Sequence, residues 1–366
     1  MHDKASSSWK TLALKRSIET QIEKFVPALT DDSHLLALLN FAEQNRSYCD
    51  SFSELVINQL LPPVFYPPDL LTLSIASPTK RSDEQIAHLS LNAIFQHLNW
   101  LQSVHISLGF GAASNVGMNY GGDKMVCLEM EEWNDVFSGL ASLSDLKLLS
   151  VSSSAIKDDH LEMMCENLRK NNVKIECLIA KNNSITLQVD EICDSLWIFR
   201  NLQHLDLSGN LLGDRGATIL SELISQNSAT KIRHLVLDEN DIGDKGASKV
   251  LMASGQLECL ALQMNRISAK IQNELCSIIC DKQNCLKFIY LAGNDLGAEC
   301  MAEVAKVLGE NKERARRFLR FDLTLCNGKT DSCNQIAEII QNNQIHNANR
   351  DEDTKENKPE LALIDR

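Results

Sequence analysis

Residues 202–247 hold two nearly superimposable copies of one pattern, and few folds can accommodate it. Leu202-x-x-Leu205-x-Leu207-x-x-Asn210-x-Leu212-Gly213-Asp214-Arg215-Gly216-Ala217 recurs thirty residues later as Ile232-x-x-Leu235-x-Leu237-x-x-Asn240-x-Ile242-Gly243-Asp244-Lys245-Gly246-Ala247. The template asks for apolar residues at positions one, four and six and for Asn or a substitute at nine. Laid along the chain, it finds starts at 146, 175, 202, 232, 257, 286 and 318, separated by 29, 27, 30, 25, 29 and 32 residues. Position nine is Ser154, Asn183, Asn210, Asn240, Asn265, Asn294 and Cys326 in turn. Two weaker units, Leu70/Leu73/Ile75 and Leu101/Val104/Ile106, lack the Asn and extend the array towards the N-terminus. A unit of this length cannot enclose a core alone; it buries its apolar face only by stacking on a neighbour.

The spacing within a unit has a mechanical reason, because successive residues of a strand point to opposite faces. Positions four and six enter the core together, and positions three, five, seven and eight face the other side. The Asn at nine stands where the chain turns out of the strand, and its amide can pair backbone groups that the turn leaves open. Asn183, Asn210, Asn240, Asn265 and Asn294 should therefore form a polar seam. The second half of each unit has helical spacing, with Ile219, Leu220, Leu223 and Ile224 making one apolar stripe and Ala298, Met301, Val304, Ala305 and Leu308 another. Asp214 and Asp244 stand at favoured N-cap positions, and the Gly-Ala after each suits close packing of the helix on the sheet.

Strand alternating with helix at this period resembles the ribonuclease-inhibitor subfamily of leucine-rich repeats over roughly residues 70–345. The resemblance implies an α/β leucine-rich-repeat solenoid, a horseshoe with parallel strands on the concave face and helices on the convex face. The expected organisation is an N-terminal helical cap over residues 1–69, the array over 70–345 and a disordered polar tail over 346–366. Helical stretches around Trp9–Val26, Ser33–Asn45 and Asp50–Leu61 would supply the cap, and Pro62 to Pro68, with four of the seven prolines, would end it. Residues 109–124 hold five of the sixteen glycines and lengthen one unit; they lack the phosphate-loop spacing and read as an insertion. Cys333–Ile345 supplies the last helix.

A net charge of −13 argues against a nucleic-acid or anionic-membrane binder and favours a basic protein partner. Residues 1–8 lack the apolar core of a secretory signal, and no run reaches the length of a membrane span, so the cytosol or nucleus is the expected setting. The twelve cysteines form no C-x-x-C pair, and Cys276, Cys280 and Cys285 have no nearby His, so free thiols are expected rather than a metal site. No motif calls for a cofactor or a catalytic residue.

The candidate binding surface is the concave face. Its residues are His204, Asp206, His234, Asp238, Glu239, Met264, Phe288, Tyr290, Arg320 and Asp322, with aromatics beside charges as in an interaction anchor. On a shallow sheet these groups are expected to stay in water with near-normal pKa values, which disfavours acid–base chemistry at His204 and His234. The function expected is a non-enzymatic scaffold or adaptor that binds a protein on the concave sheet and rim loops. The alternative is a GTPase-activating protein, because the Ran-specific activators also resemble ribonuclease-inhibitor-type repeats with a charged tail. The tail here is only weakly acidic, and no Arg matches a motif of that family.

Overall fold

The computed structural model describes residues 54–58, 103–110, 130–188, 201–226, 231–328 and 330–351. Among them nine strands form one parallel sheet in chain order: β1 Glu54–Asn58, β2 Ser103–Phe110, β3 Leu148–Ser154, β4 Cys177–Ile179, β5 His204–Asp206, β6 His234–Val236, β7 Cys259–Ala261, β8 Phe288–Tyr290 and β9 Arg320–Asp322. The described helices are α1 Met130–Leu140, α2 Asp158–Lys170, α3 Gly213–Gln226, α4 Asp244–Ala253, α5 Gln272–Cys280, α6 Gly297–Glu310, α7 Lys312–Ala315 and α8 Thr330–Asp351. Strand order equals chain order because each unit returns the chain through its convex segment to a position beside the previous strand. Strands in a sheet lie about 4.8 Å apart, whereas packed helices need about 8–10 Å, so a stack of such units bends towards its strands.

The interior is the one that the period dictates. Every apolar residue at positions one, four and six from Leu146 to Leu323 is buried in a single cluster. Leu205 pairs in register with Leu235, and Leu235 with Leu260, so the position-four side chains stack through the spine. Trp133 and Phe137, stacked at 5.2 Å between centroids, belong to the same core, as do Phe318 and Phe321, packed edge to face at 5.6 Å.

Two polar seams run beside this spine. At position nine, Asn210 accepts from the backbone N–H of Ile185 (3.1 Å) and donates to the carbonyls of Ala180 (2.9 Å) and Leu207 (2.8 Å). Asn183, Asn240, Asn265 and Asn294 repeat the arrangement. Cys326, in the same column, replaces the amide with a thiol that reaches the Leu291 carbonyl at 3.1 Å. The second seam is acidic. Asp214 Oδ1 accepts from the N–H groups of Gly243 (2.8 Å) and Gly246 (2.9 Å), which begin α4 in the next unit.

That seam corrects the capping expectation. Asp214 lies inside α3, and Asp244 is the first residue of α4 behind Gly243, so neither caps its own helix. Each carboxylate satisfies the following unit: Asp158 takes the N–H groups of Thr186, Leu187 and Gln188, and Asp244 takes the N–H and the hydroxyl of Ser268. The Gly-Ala pair serves the same junction rather than the sheet. A Cβ on Gly246 would stand 2.9 Å from both the Ala217 Cβ and the Asp214 Cα, closer than packed atoms approach.

Two further expectations differ from the structure. Residues 54–58, inside a stretch expected to be helical, form β1, which pairs directly with β2 in register from Glu54↔Ser103 to Asn58↔Ser107. The run Glu-Leu-Val-Ile-Asn is β-branched and apolar at its centre, which suits a strand better than a helix. The final helix continues past Ile345 to Asp351, into the stretch expected to be a disordered tail. The unit at Leu70/Leu73/Ile75, the rest of residues 1–69, most of the glycine-rich insertion and residues 352–366 lie outside the described residues.

The position-nine seam yields a stability prediction. Asn210→Ala leaves the buried Ile185 N–H and the Ala180 carbonyl without this partner, while the Leu207 carbonyl keeps Asn240, and should cost about 2–4 kcal/mol. The urea midpoint measures it; a loss under about 0.5 kcal/mol, typical of an uninvolved surface site, would show that the amide bridges contribute little.

Candidate functional site

The ladder fixes which concave side chains are neighbours. Position three runs Cys177, His204, His234, Cys259, Phe288 and Arg320 in direct register across β4 to β9. Position five runs Ile179, Asp206, Val236, Ala261, Tyr290 and Asp322 beside it. Asp238, Glu239 and Met264 follow in the segments that leave β6 and β7. The sequence-derived set is thus brought onto one face, in two adjoining rows and a rim.

The first half of that face is polar but largely satisfied from within. Asp206 is only 3% exposed; its carboxylate pairs with Lys181 Nζ at 2.8 Å and accepts from the Ser208 N–H (3.1 Å) and Oγ (2.6 Å). His204 and His234 lie 5.8 Å apart between ring centroids. Burial lowers the pKa of both imidazoles, opposed for His204 by Asp206 and for His234 by Glu258, so both are neutral at physiological pH.

Asp238 also departs from water-like behaviour. Burial pushes its carboxyl up to about 6, against hydrogen bonds from the Gln263 N–H (2.7 Å) and Nε2 (3.2 Å) that favour the ionised form. The expectation of near-normal pKa values therefore fails at His204, His234 and Asp238. Neighbouring strands about 4.8 Å apart crowd the side chains of a concave sheet and strip water from them.

The second half is aromatic. Phe288 and Tyr290 are half-buried, and the Arg320 guanidinium stands 5.4 Å from the centroid of the Tyr290 ring. Arg320 also lies 3.8 Å from Asp322, whose carboxylate accepts from the Thr324 N–H and hydroxyl.

At the rim the chain leaves each strand through a left-handed residue at position eight. The column reads Ser153, Asn182, Gly209, Glu239, Met264, Gly293 and Leu325, with φ between 49° and 73° throughout. A non-glycine residue there is disfavoured by about 1–2 kcal/mol. Leu325, 82% exposed, joins Met264, 58% exposed, on this rim. Sequence reasoning included Glu239 and Met264 but missed Leu325 and Lys181; the recurrence of Gly at 209 and 293 was the available signal for the column. Among the described residues no group of three or more His, Cys, Asp or Glu could hold a metal, and no helix is long and apolar enough to cross a membrane.

Comparison with known proteins agrees with this architecture. The family model described as "Leucine Rich repeat" matches residues 200–221 and 228–251. The chain is 33% identical to mouse (Mus musculus) "Ribonuclease inhibitor" over 139 residues, covering 37% of this chain and 30% of that protein. It is 27% identical over 184 residues to "NACHT, LRR and PYD domains-containing protein 5" of Bos taurus, covering 50% of this chain and 17% of that protein. It is 25% identical over 223 residues to mouse "Dynein regulatory complex subunit 5", covering 57% and 35%. The chain thus spans between about a sixth and a third of the length of these relatives. The repeat, its stacking and these likenesses make it a leucine-rich-repeat protein of the ribonuclease-inhibitor-like kind. Scaffolds of this kind typically mediate protein–protein interaction and are generally not catalytic.

The raised Asp238 pKa sets a pH dependence. Between the ordinary value of 3.8 and about 6 the folded chain keeps a proton that the unfolded chain has released. Stability contributed by this site therefore falls as pH rises through that window. Asp238→Asn should remove a decline on the order of 2 kcal/mol, after allowance for partial solvent screening. Thermal melts of wild type and variant across the window measure the difference; parallel profiles would show that Asp238 titrates normally.

Proposed function

We propose that this chain is a non-catalytic interaction module that holds a protein partner on the concave sheet and its rim. The observation that carries the reading is the pair of in-register rows, in which the side chains change from His204 and Asp206 on β5 to Phe288 and Tyr290 on β8 without a break in the ladder. Aromatic side chains flanked by charge on a stiff, pre-ordered surface lose little entropy when a partner docks. The relatives' printed names agree in kind: one is an inhibitor of ribonuclease, another a subunit of a regulatory complex.

A basic partner surface fits best, since Asp238 and Glu239 make no ion pair among the described residues. The reading includes a cytosolic or nuclear setting, supported by nine described cysteines that are all free thiols.

Replacing Asp238 and Glu239 by their amides together with Phe288→Ala and Tyr290→Ala should weaken capture of the partner by about a hundredfold or more. Circular dichroism should confirm that the fold persists. Undiminished capture by this folded variant would move the binding surface elsewhere. The same preparation should leave GTP hydrolysis by a panel of small GTPases at its basal rate; stimulation would favour the activator alternative.

A further inference from the structure

Position eight offers glycine a place without steric cost, and glycine occupies it at 209 and 293. Glu239, Met264 and Leu325 hold the same left-handed conformation beside them. Two of the three also expose a large apolar side chain, Met264 by 58% and Leu325 by 82%. A disfavoured backbone and a largely exposed apolar group are both unfavourable in the free chain; Met264 lays its thioether over Gly293, yet more than half of Met264 and most of Leu325 remain in water.

Their surroundings are chemically particular. Phe288 and Tyr290 belong to the one unit between those of Met264 and Leu325. Asp238 and Glu239 belong to the unit before Met264, and Asp238 is tied to Gln263 beside it. Four other acids near this face have cationic partners: Asp206 with Lys181, Glu258 with Lys287, Asp241 with Arg266 and Asp322 with Arg320. Among the described residues Asp238 and Glu239 have no basic side chain within ion-pair distance.

We infer that the stretch of rim and floor from Asp238 to Leu325 docks an extended peptide segment presenting a Lys or Arg beside a bulky apolar side chain. The inference deepens the proposed interaction role and rests on it. The unit carrying Asp238 and the unit carrying Tyr290 are two strand spacings apart, about 10 Å. An extended peptide covers that in about three residues. The cation enters opposite Asp238 and Glu239, and the apolar side chain, about three residues away, is covered by Met264, Phe288 and Leu325.

The test uses the full chain and a random peptide library displayed on phage. Enriched sequences should pair Lys or Arg with Leu, Met, Phe or Trp about three residues away. A synthetic consensus peptide should bind the Asp238→Asn/Glu239→Gln variant at least about tenfold more weakly. It should lose at least as much on Met264→Gly/Leu325→Gly, while that variant keeps or raises the wild-type melting temperature because glycine relieves the left-handed backbone.

Neutral or acidic consensus sequences, or undiminished binding to both variants, would overturn the inference. So would a lower melting temperature for Met264→Gly/Leu325→Gly, since the two side chains would then serve the fold. Enriched peptides that instead depend on Lys181, judged by Lys181→Ala, would sink this dock and leave the broader interaction role standing. If nothing enriches, or no concave substitution weakens any enriched peptide, both fail.

Discussion

Wherever a coil leaves the sheet, its backbone groups would be buried without partners, and the position-nine side chain removes that problem by reaching the preceding coil. Asn240 donates to the Leu207 carbonyl and accepts from Leu212, both in the unit before it. The acidic seam works in the opposite sense, Asp214 reaching forward to Gly243 and Gly246. The junction between these two units is therefore fastened at both flanks of the apolar spine, once from each side. Buried polar groups are costly when unpaired, so this double fastening fixes the step from coil to coil more sharply than Leu205 packing on Leu235 could alone.

The acidic seam also changes how the net charge of −13 is to be understood. Asp158, Asp214 and Asp244 hold backbone N–H groups, and Asp206 is enclosed by Lys181 and Ser208. These carboxylates shape the interior of the stack and its junctions more than the field a partner meets. What remains on the concave side is local, at Asp238 and Glu239, and the first of these is itself held partly protonated near pH 6 by burial. Whole-chain charge sets long-range attraction, whereas a docked partner meets particular groups.

Period and residue type made much of the architecture legible from sequence alone. The spacing of Leu202, Leu205 and Leu207, repeated in seven units, specified strand register, core and Asn seam, because each follows from alternation and stacking. The concave set followed by parity, and every member lies on the expected face or its rim. Capping was less legible, because Asp214 serves a helix in another coil and a local rule about N-caps has no term for that. β1 was hidden because its unit has Leu60 where the position-nine Asn would stand, and its register partner in β2 lies 49 residues on, far beyond the usual spacing. The pKa behaviour of His204, His234 and Asp238 was hidden for a further reason: parity says which way a side chain points, not how tightly adjacent strands enclose it.

Because positions one, four, six and nine are constrained in every unit, variation is confined to the face that the core does not use. Position five alone runs Ser150, Ile179, Asp206, Val236, Ala261, Tyr290 and Asp322, with no two neighbours alike. An aperiodic surface on a periodic frame can change one side chain without shifting its neighbours, since each unit contacts only the coils on either side. The left-handed column marks the limit of that freedom. Side chains at position eight are carried against a backbone preference for glycine, so Glu239, Met264 and Leu325 differ in kind from the floor residues: the frame tolerates the floor but is strained to present the rim.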